Sequence, residues 1–144
     1  MYRTILLCYD GSPEGQNVLT EGAEIACASG ARTHLLAVVP LLVTADAMPA
    51  GEILQAQHAQ YEAVLNEGVA ALTASGLAVQ GKLAHGRPVD VIADYAREIG
   101  ADLIVLGHRP QGTLARWWRG AVDHSLLSVA PCSILVAFSS PPSA

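Results

Sequence analysis

A glycine-rich loop between residues 107 and 120 carries the groups of this chain best suited to hold an anion. Glycines occupy positions 107, 112 and 120, and the loop contains Arg109, Arg116 and Arg119, three of only eight basic residues in the chain. Backbone N–H groups at a helix N-terminus and guanidinium groups both donate hydrogen bonds to phosphate or carboxylate oxygens. The alternative is that the three arginines are simply solvated, and the sequence favours neither interpretation.

A second candidate group is the carboxylate of Asp10, which follows an apolar run and begins the sequence Asp10-Gly11-Ser12. A carboxylate at such a strand end can accept hydrogen bonds from a ligand. An aspartate in a turn of this composition also accepts hydrogen bonds from the backbone a few residues on. We expect Asp10 to have both roles.

The histidines do not predict a metal centre. His85 and His108 fall where strands are expected to end, but neither has the closely spaced cysteine or carboxylate partners that zinc sites use. His34, His58 and His124 are predicted to be surface or second-layer residues. No nucleophile next to a base is apparent either, so we expect no catalytic residue and no metal.

The elements that position these candidate side chains are predicted strands, read from short apolar runs, which alternate with predicted amphipathic helices. Ser12 and Pro13 are a strong helix start, since the hydroxyl can cap the helix and proline loses nothing at the first helical position. The predicted strands are 4–9, 33–39, 78–84, 103–106 and 133–138, and the predicted helices are about 12–29, 52–74, 88–99 and 120–130.

Strands alternating with helices predict an α/β fold with a parallel sheet and right-handed crossovers. Ligands of such sheets bind beyond the carboxyl ends of the strands, where the strand order reverses. This rule gathers Asp10, Val38–Val39, His85–Gly86 and the loop from Gly107 onward around one crevice. Residues 1–138 are expected to form a single domain, followed by a disordered tail at 139–144 that is rich in serine and proline.

Composition narrows the class of protein. The 144 residues are 51% apolar and only 15% charged, which is typical of a sheet covered on both faces. The net charge of −5 argues against nucleic-acid or anionic-membrane partners. No apolar run approaches the ~20 residues of a membrane span. The three cysteines form no Cys-x-x-Cys motif and are expected to be buried thiols in a reducing, cytoplasmic environment.

Three pieces of sequence, in this order, resemble the universal stress protein family of UspA-like proteins. They are Asp10-Gly11-Ser12 after the first strand, Gly86-Arg87-Pro88 at the third helix, and the pair of runs at 101–107 and 130–136. The resemblance covers Tyr2 to Phe138. It implies a five-stranded Rossmann-like fold with strand order 3-2-1-4-5, of the adenine nucleotide alpha hydrolase-like type.

Some members of that family bind ATP through a loop motif, Gly-x2-Gly-x9-Gly-[Ser/Thr]. In this chain the four positions are Gly107, Pro110, Gly120 and Ala121, so two of the four are kept. Pro110 has no N–H to donate and a fixed φ, and Ala121 has no hydroxyl to reach a phosphate oxygen or a metal. Each missing donor to a charged group is worth about 1.5–3 kcal/mol, so we expect weak or absent ATP binding.

The nucleoside half of the family's site is retained. The resemblance places Asp10 near the ribose, Val38 against the base, and Leu106 and Gly107 at the floor. Any ligand is therefore expected to be an adenine nucleotide or nucleoside, such as ATP or AMP, held weakly. The full set of candidate ligand-binding residues is Asp10, Val38, Leu106, Gly107, Arg109, Gly120, Ala121 and Val122.

Three functions remain open. The leading hypothesis is a non-enzymatic stress-response or signalling module with a degenerate nucleotide site. The second is an ATP- or AMP-binding member with slow ATP hydrolysis. The third is a ligand-free interaction module that uses Trp117, Trp118 and the apolar stretch Leu41 to Met48.

The resemblance also implies a homodimer in which the strand Ser133 to Phe138 lies at the subunit contact. An apolar strand at the edge of a sheet tends to aggregate unless it is paired or covered, so this assembly has a physical reason.

Overall fold

The chain folds into one parallel five-stranded sheet, as the computed structural model shows for residues 1–13, 15–40, 51–107 and 126–138, with main chain alone at 51–53. The strands are β1 (Thr4–Cys8), β2 (Arg32–Pro40), β3 (Val79–Gly86), β4 (Leu103–Gly107) and β5 (Ser133–Ala137). The helices are α1 (Gly15–Ser29), α2 (Gly51–Ala74), α3 (Pro88–Ile99) and α4 (Leu126–Val129). The sheet order is β3-β2-β1-β4-β5, which confirms the predicted α/β fold and strand order.

Element boundaries differ from the predicted ones by a few residues. β3 continues to Gly86 because it stays in register with β2 as far as the pair Pro40–Gly86. β5 ends at Ala137, one residue before the predicted end at Phe138. Of the predicted fourth helix, α4 is the described part, and residues 120–125 lie outside the described residues, as does the predicted tail at 139–144.

Helices cover both faces of the sheet, as the fully apolar strands require. On one face, β1, β2 and β4 contribute Ile5, Leu7, Leu35 and Val105 to a core closed by α1 and α2. On the other face, Leu6, Cys8, Leu36 and Ile104 meet α3 and α4. Neighbouring residues of each strand therefore alternate between two separate cores.

Two glycines allow α1 and α2 to approach the sheet closely. A Cβ atom on Gly22 would lie 2.5 Å from Cδ2 of Leu7, and one on Gly68 would lie 2.5 Å from Cδ2 of Leu35. Both leucines are completely buried, so the core has no room for the extra methyl group. The small residues on these helices are therefore part of the packing.

His34 of β2 is buried against α3, with 9% of its surface exposed. Its Nδ1 lies 3.3 Å from the hydroxyl oxygen of Tyr95, and the two rings meet edge to face. Burial lowers the pKa of His34, and the nearby positive charge of Arg32 lowers it further. The expectation that His34 is a second-layer residue fits this position better than a place on the surface.

The lowered pKa of His34 predicts a loss of stability in mild acid. As the pH falls below about 6.5, His34 takes up a proton in the unfolded chain but stays neutral in the folded chain. The free energy of unfolding therefore decreases with falling pH until the pH drops below the folded pKa of His34. Urea unfolding measured between pH 7.5 and 5 should show this decrease in the wild type and a shallower one in His34→Gln. Tyr95→Phe is the control and should keep the wild-type slope, because burial is the main cause of the lowered pKa of His34. Equal slopes in the wild type and in His34→Gln would show that His34 does not cause the loss of stability.

Candidate functional site

The carboxyl ends of β1 and β4 lie side by side at the point where the strand order reverses. The register pairs Leu7 with Val105, and continuing it places Tyr9 opposite Gly107. β1 connects through α1 to β2 on one side, whereas β4 lies on the other side and is itself followed in the sheet by β5. Open α/β sheets form a ligand crevice at such a position, and Asp10 and Gly107 lie at the two strand ends concerned.

Asp10 is held by the turn that follows it. Its Oδ1 accepts a hydrogen bond from the backbone N–H of Ser12 at 2.9 Å and another from the Ser12 hydroxyl. The oxygen of that hydroxyl accepts a bond from the N–H of Gly15 at 3.0 Å, which caps α1. The structural role predicted for Asp10 is thus confirmed, and its contact with a ligand stays a prediction.

The first turn of α1 is tighter than an α-helical turn. The N–H groups of Gly15 and Gln16 bond to the carbonyl oxygens three residues earlier, at 3.0 and 3.2 Å. This explains why the regular helix starts at Gly15, whereas the sequence predicts a start near Ser12. The capping role predicted for Ser12 is correct.

The sheet divides the predicted crevice residues between its two faces. Val38 and Leu106 pack into the core beneath α3 and α4. Val39 and His85 are paired in the β2–β3 register and line a cavity beside α2. The expectation that all of these residues surround one crevice is therefore wrong, because consecutive strand residues point to opposite faces.

His58 is a residue whose environment the sequence analysis missed. The sequence predicts a surface or second-layer residue but not its partners: Nδ1 of His58 lies 3.0 Å from Nε2 of His85, and its Nε2 lies 3.3 Å from a carboxylate oxygen of Glu62. Glu62 follows His58 by one helical turn, which the sequence shows. The contact with His85 depends on α2 packing across the end of β3, which no local pattern reports.

Cys8 is buried beside the crevice and does not have the character of a reactive thiol. Burial raises the pKa of this thiol far above its ordinary value, and Cys132 adds to the effect. Reactive cysteines instead have a lowered pKa and an accessible sulfur. Cys8 therefore serves as a small apolar core residue.

Half of the predicted ligand-binding set lies outside the described residues. This half comprises Arg109, Gly120, Ala121 and Val122, and Pro110, Trp117 and Trp118 lie outside as well. The described half, which comprises Asp10, Val38, Leu106 and Gly107, lies at or near the carboxyl edge of β1, β2 and β4.

The sequence profile of the universal stress protein family matches residues 1–137. The chain belongs to the universal stress protein family. A relative from Thermus aquaticus, described as a universal stress protein in the QAH/OAS sulfhydrylase 3′ region, is 30% identical over 137 residues, which cover 94% of this chain and 98% of the relative.

Solved structures agree with this membership. The universal stress protein UspA from Lactobacillus plantarum superposes with a TM-score of 0.74 at 26% identity, over 94% of this chain and 97% of that one. A universal stress protein in complex with cAMP superposes with a TM-score of 0.69 at 24% identity, over 96% of this chain and 98% of that one. These likenesses establish the common fold.

The described part of the chain contains no membrane-spanning helix and no group of three or more side chains that could bind a metal ion. None of its described helices has the length and apolar character to cross a bilayer. Within the same residues, no three or more His, Cys, Asp or Glu side chains are grouped so that they could hold a metal ion.

Replacing the capping hydroxyl tests the turn that holds Asp10. Ser12→Ala removes the hydrogen bond that the Ser12 hydroxyl donates to Asp10 and the one that it accepts from the N–H of Gly15, while the bond from the backbone N–H of residue 12 to Asp10 stays. We expect a loss of about 1–2 kcal/mol in the free energy of unfolding, measured in urea. The control is Thr20→Ala, an exposed hydroxyl in the same helix that bonds only to the carbonyl of Gln16. It should change stability by no more than about 0.5 kcal/mol; equal losses in the two variants would show that the cap is unimportant.

Proposed function

We propose that this chain is a non-enzymatic stress-response or signalling module that binds an adenine nucleoside or mononucleotide weakly and has little affinity for ATP. The observation that supports the proposal most is that β1 and β4, whose carboxyl ends carry Asp10 and Gly107, are neighbours at the strand-order reversal. The phosphate motif that starts at Gly107 has lost two of its four residues. The nucleoside part of the site is thus supported by the fold, and the triphosphate part is weakened by composition.

Three described side chains suit a nucleoside. The Asp10 carboxylate is fixed by the Ser12 turn, so it is oriented without further ordering when a ribose hydroxyl donates to it. Val38 is half-buried near the carboxyl end of β2 and offers apolar surface to a base. Leu106 is completely buried and Gly107 adds no side chain, so together they form a close floor.

The phosphate contacts are where this chain departs from the family motif. Pro110 removes a backbone donor and Ala121 removes a hydroxyl, and a hydrogen bond to a charged group is worth about 1.5–3 kcal/mol. Two such losses weaken binding of a triphosphate by about 100-fold or more. A nucleoside or monophosphate depends less on these donors, because fewer phosphate oxygens have to be satisfied.

Structures of other universal stress proteins in complex with mononucleotides are consistent with a preference for mononucleotides over ATP. Besides the cAMP complex, proteins of this fold from Archaeoglobus fulgidus and Arabidopsis thaliana are described with dAMP and AMP, at 22% and 18% identity to this chain. At such identities these structures show only that the fold is shared. The ligand preference proposed here is therefore argued from the residues of this chain.

Restoring the motif tests the proposal by gain of function. In isothermal titration, the wild type should bind adenosine or AMP more tightly than Mg²⁺-ATP. The double variant Pro110→Gly/Ala121→Ser should tighten ATP binding by about 100-fold, since both donors return. Adenosine affinity should stay the same in the variant, which makes adenosine the internal control.

The other two hypotheses correspond to other outcomes of these titrations. Low-micromolar Mg²⁺-ATP binding by the wild type, with slow release of phosphate, would favour the ATP-hydrolysing member. No binding of adenosine, AMP or cAMP would favour the ligand-free interaction module that uses Trp117, Trp118 and the stretch 41–48. Either outcome would contradict the proposed function.

We also propose that the chain acts as a cytoplasmic homodimer joined through the strand 133–138. β5 is an edge strand that pairs with β4 alone among the described strands. Its central residues Ile134, Leu135 and Val136 are apolar and only half-buried, which is a liability for a monomer. The cytoplasmic location follows from the cysteines, since Cys8, Cys27 and Cys132 are all free thiols.

A charge at the centre of the edge strand should separate the dimer. Val136→Asp is expected to convert a dimer into a monomer in light scattering, because a carboxylate would be buried in the contact without a partner. Leu54→Asp is the matched control: Leu54 is an exposed apolar residue on α2, which packs on β2 and β3 at the far side of the sheet. Circular dichroism verifies folding, and a folded Val136→Asp variant that is still dimeric would exclude this strand as the contact.

A further inference from the structure

His58 and His85 bring two imidazole nitrogens together at the end of β3. Nδ1 of His58 and Nε2 of His85 are 3.0 Å apart, and the planes of the two rings differ by 5°. This separation is a hydrogen-bond distance, so one of the two facing nitrogens carries a proton and donates it to the lone pair of the other. The two residues are 27 positions apart in the sequence and come from α2 and β3, which pack together in the fold.

Glu62 determines which nitrogen of His58 carries its proton. Its carboxylate oxygen lies 3.3 Å from Nε2 of His58 and can only accept a hydrogen bond. Nε2 of neutral His58 therefore carries the proton, and Nδ1 presents a lone pair to His85. Histidines that bind metals have this arrangement, with one nitrogen on the ion and the other N–H on a carboxylate.

The pair has room and solvent access for an ion. A cavity of about 570 Å³ lies beside it and is lined by Val39, Leu54, Gln55, Gln57, His58 and His85. The side chain of His58 is 46% exposed, and His85 is exposed as well. Water can therefore enter and fill coordination positions that the protein leaves open.

We propose that His58 and His85 together bind one divalent late transition-metal ion, with water completing its coordination. Two nitrogens bound at about 2.0–2.1 Å in neighbouring positions of a tetragonal or octahedral ion lie about 2.9 Å apart, close to the separation found here. The proton on Nε2 of His85 moves to its Nδ1 when Nε2 binds the ion, and Nδ1 of His58 already has a lone pair. Imidazole pairs of this kind select copper, nickel or zinc and exclude magnesium and calcium.

The proposed site is distinct from the nucleotide crevice. Val39 and His85 lie on the α2 side of the sheet, while Val38 and Leu106 pack on the α3 side. With only two protein ligands, the site holds an exchangeable ion instead of a structural one. The bound ion links α2 to β3, so it should also stabilise the fold.

Titration with NiCl2 tests the site. Nickel is the suitable probe because Cu²⁺ oxidises thiols and Zn²⁺ binds them, and Cys27 is exposed. The wild type should bind one Ni²⁺ and gain thermal stability. His58→Gln and His85→Gln should each lose most of the affinity and all of the thermal shift, and Glu62→Gln should weaken binding by about tenfold through the orientation of His58.

The control removes two histidines that lie outside the described residues. His108→Gln/His124→Gln keeps the pair intact and should bind Ni²⁺ like the wild type. All variants are compared with the wild type by circular dichroism before titration. Binding that survives in His58→Gln and His85→Gln, or that disappears in the control variant, would overturn the proposal.

Discussion

Burial of the parallel sheet on both faces is the constraint on which the rest of this structure depends. Residues of β1 and β4 such as Ile5, Leu6, Leu7 and Ile104 have no exposed surface, and they alternate between two cores. Helices must therefore approach from both sides, and Gly22 and Gly68 allow α1 and α2 to lie directly against the leucines of the sheet. With both faces covered, only the ends and edges of the sheet remain for function.

The carboxyl edge carries the two proposed sites, one on each side of the sheet. On the α3 side, Val38 and Leu106 lie beneath the reversal of strand order, with Asp10 fixed by its own turn. On the α2 side, Val39 and His85 face a cavity and meet His58. Neighbouring residues of one strand, Val38 and Val39, thus face opposite sides of the sheet because a strand alternates its side chains.

The two edge strands of the sheet differ in how polar their exposed residues are. β3 is exposed along Gln80, Gly81 and Lys82, so polar and charged groups keep this edge solvated. β5 carries Ile134, Leu135 and Val136 instead and has no such protection. This asymmetry is the physical basis for the subunit contact that we propose at β5.

The order of strands and helices, the cap at Ser12 and the turn at Asp10 were all predicted from the sequence, because each rests on local periodicity or on hydrogen bonds within a few residues. The family motif likewise shows directly that Pro110 and Ala121 lack phosphate donors. Tertiary structure alone decided that the predicted crevice residues divide between two faces, and that His58 meets His85 across 27 positions of sequence. Contacts between elements depend on how helices pack on a sheet, and no local pattern of residues contains that information.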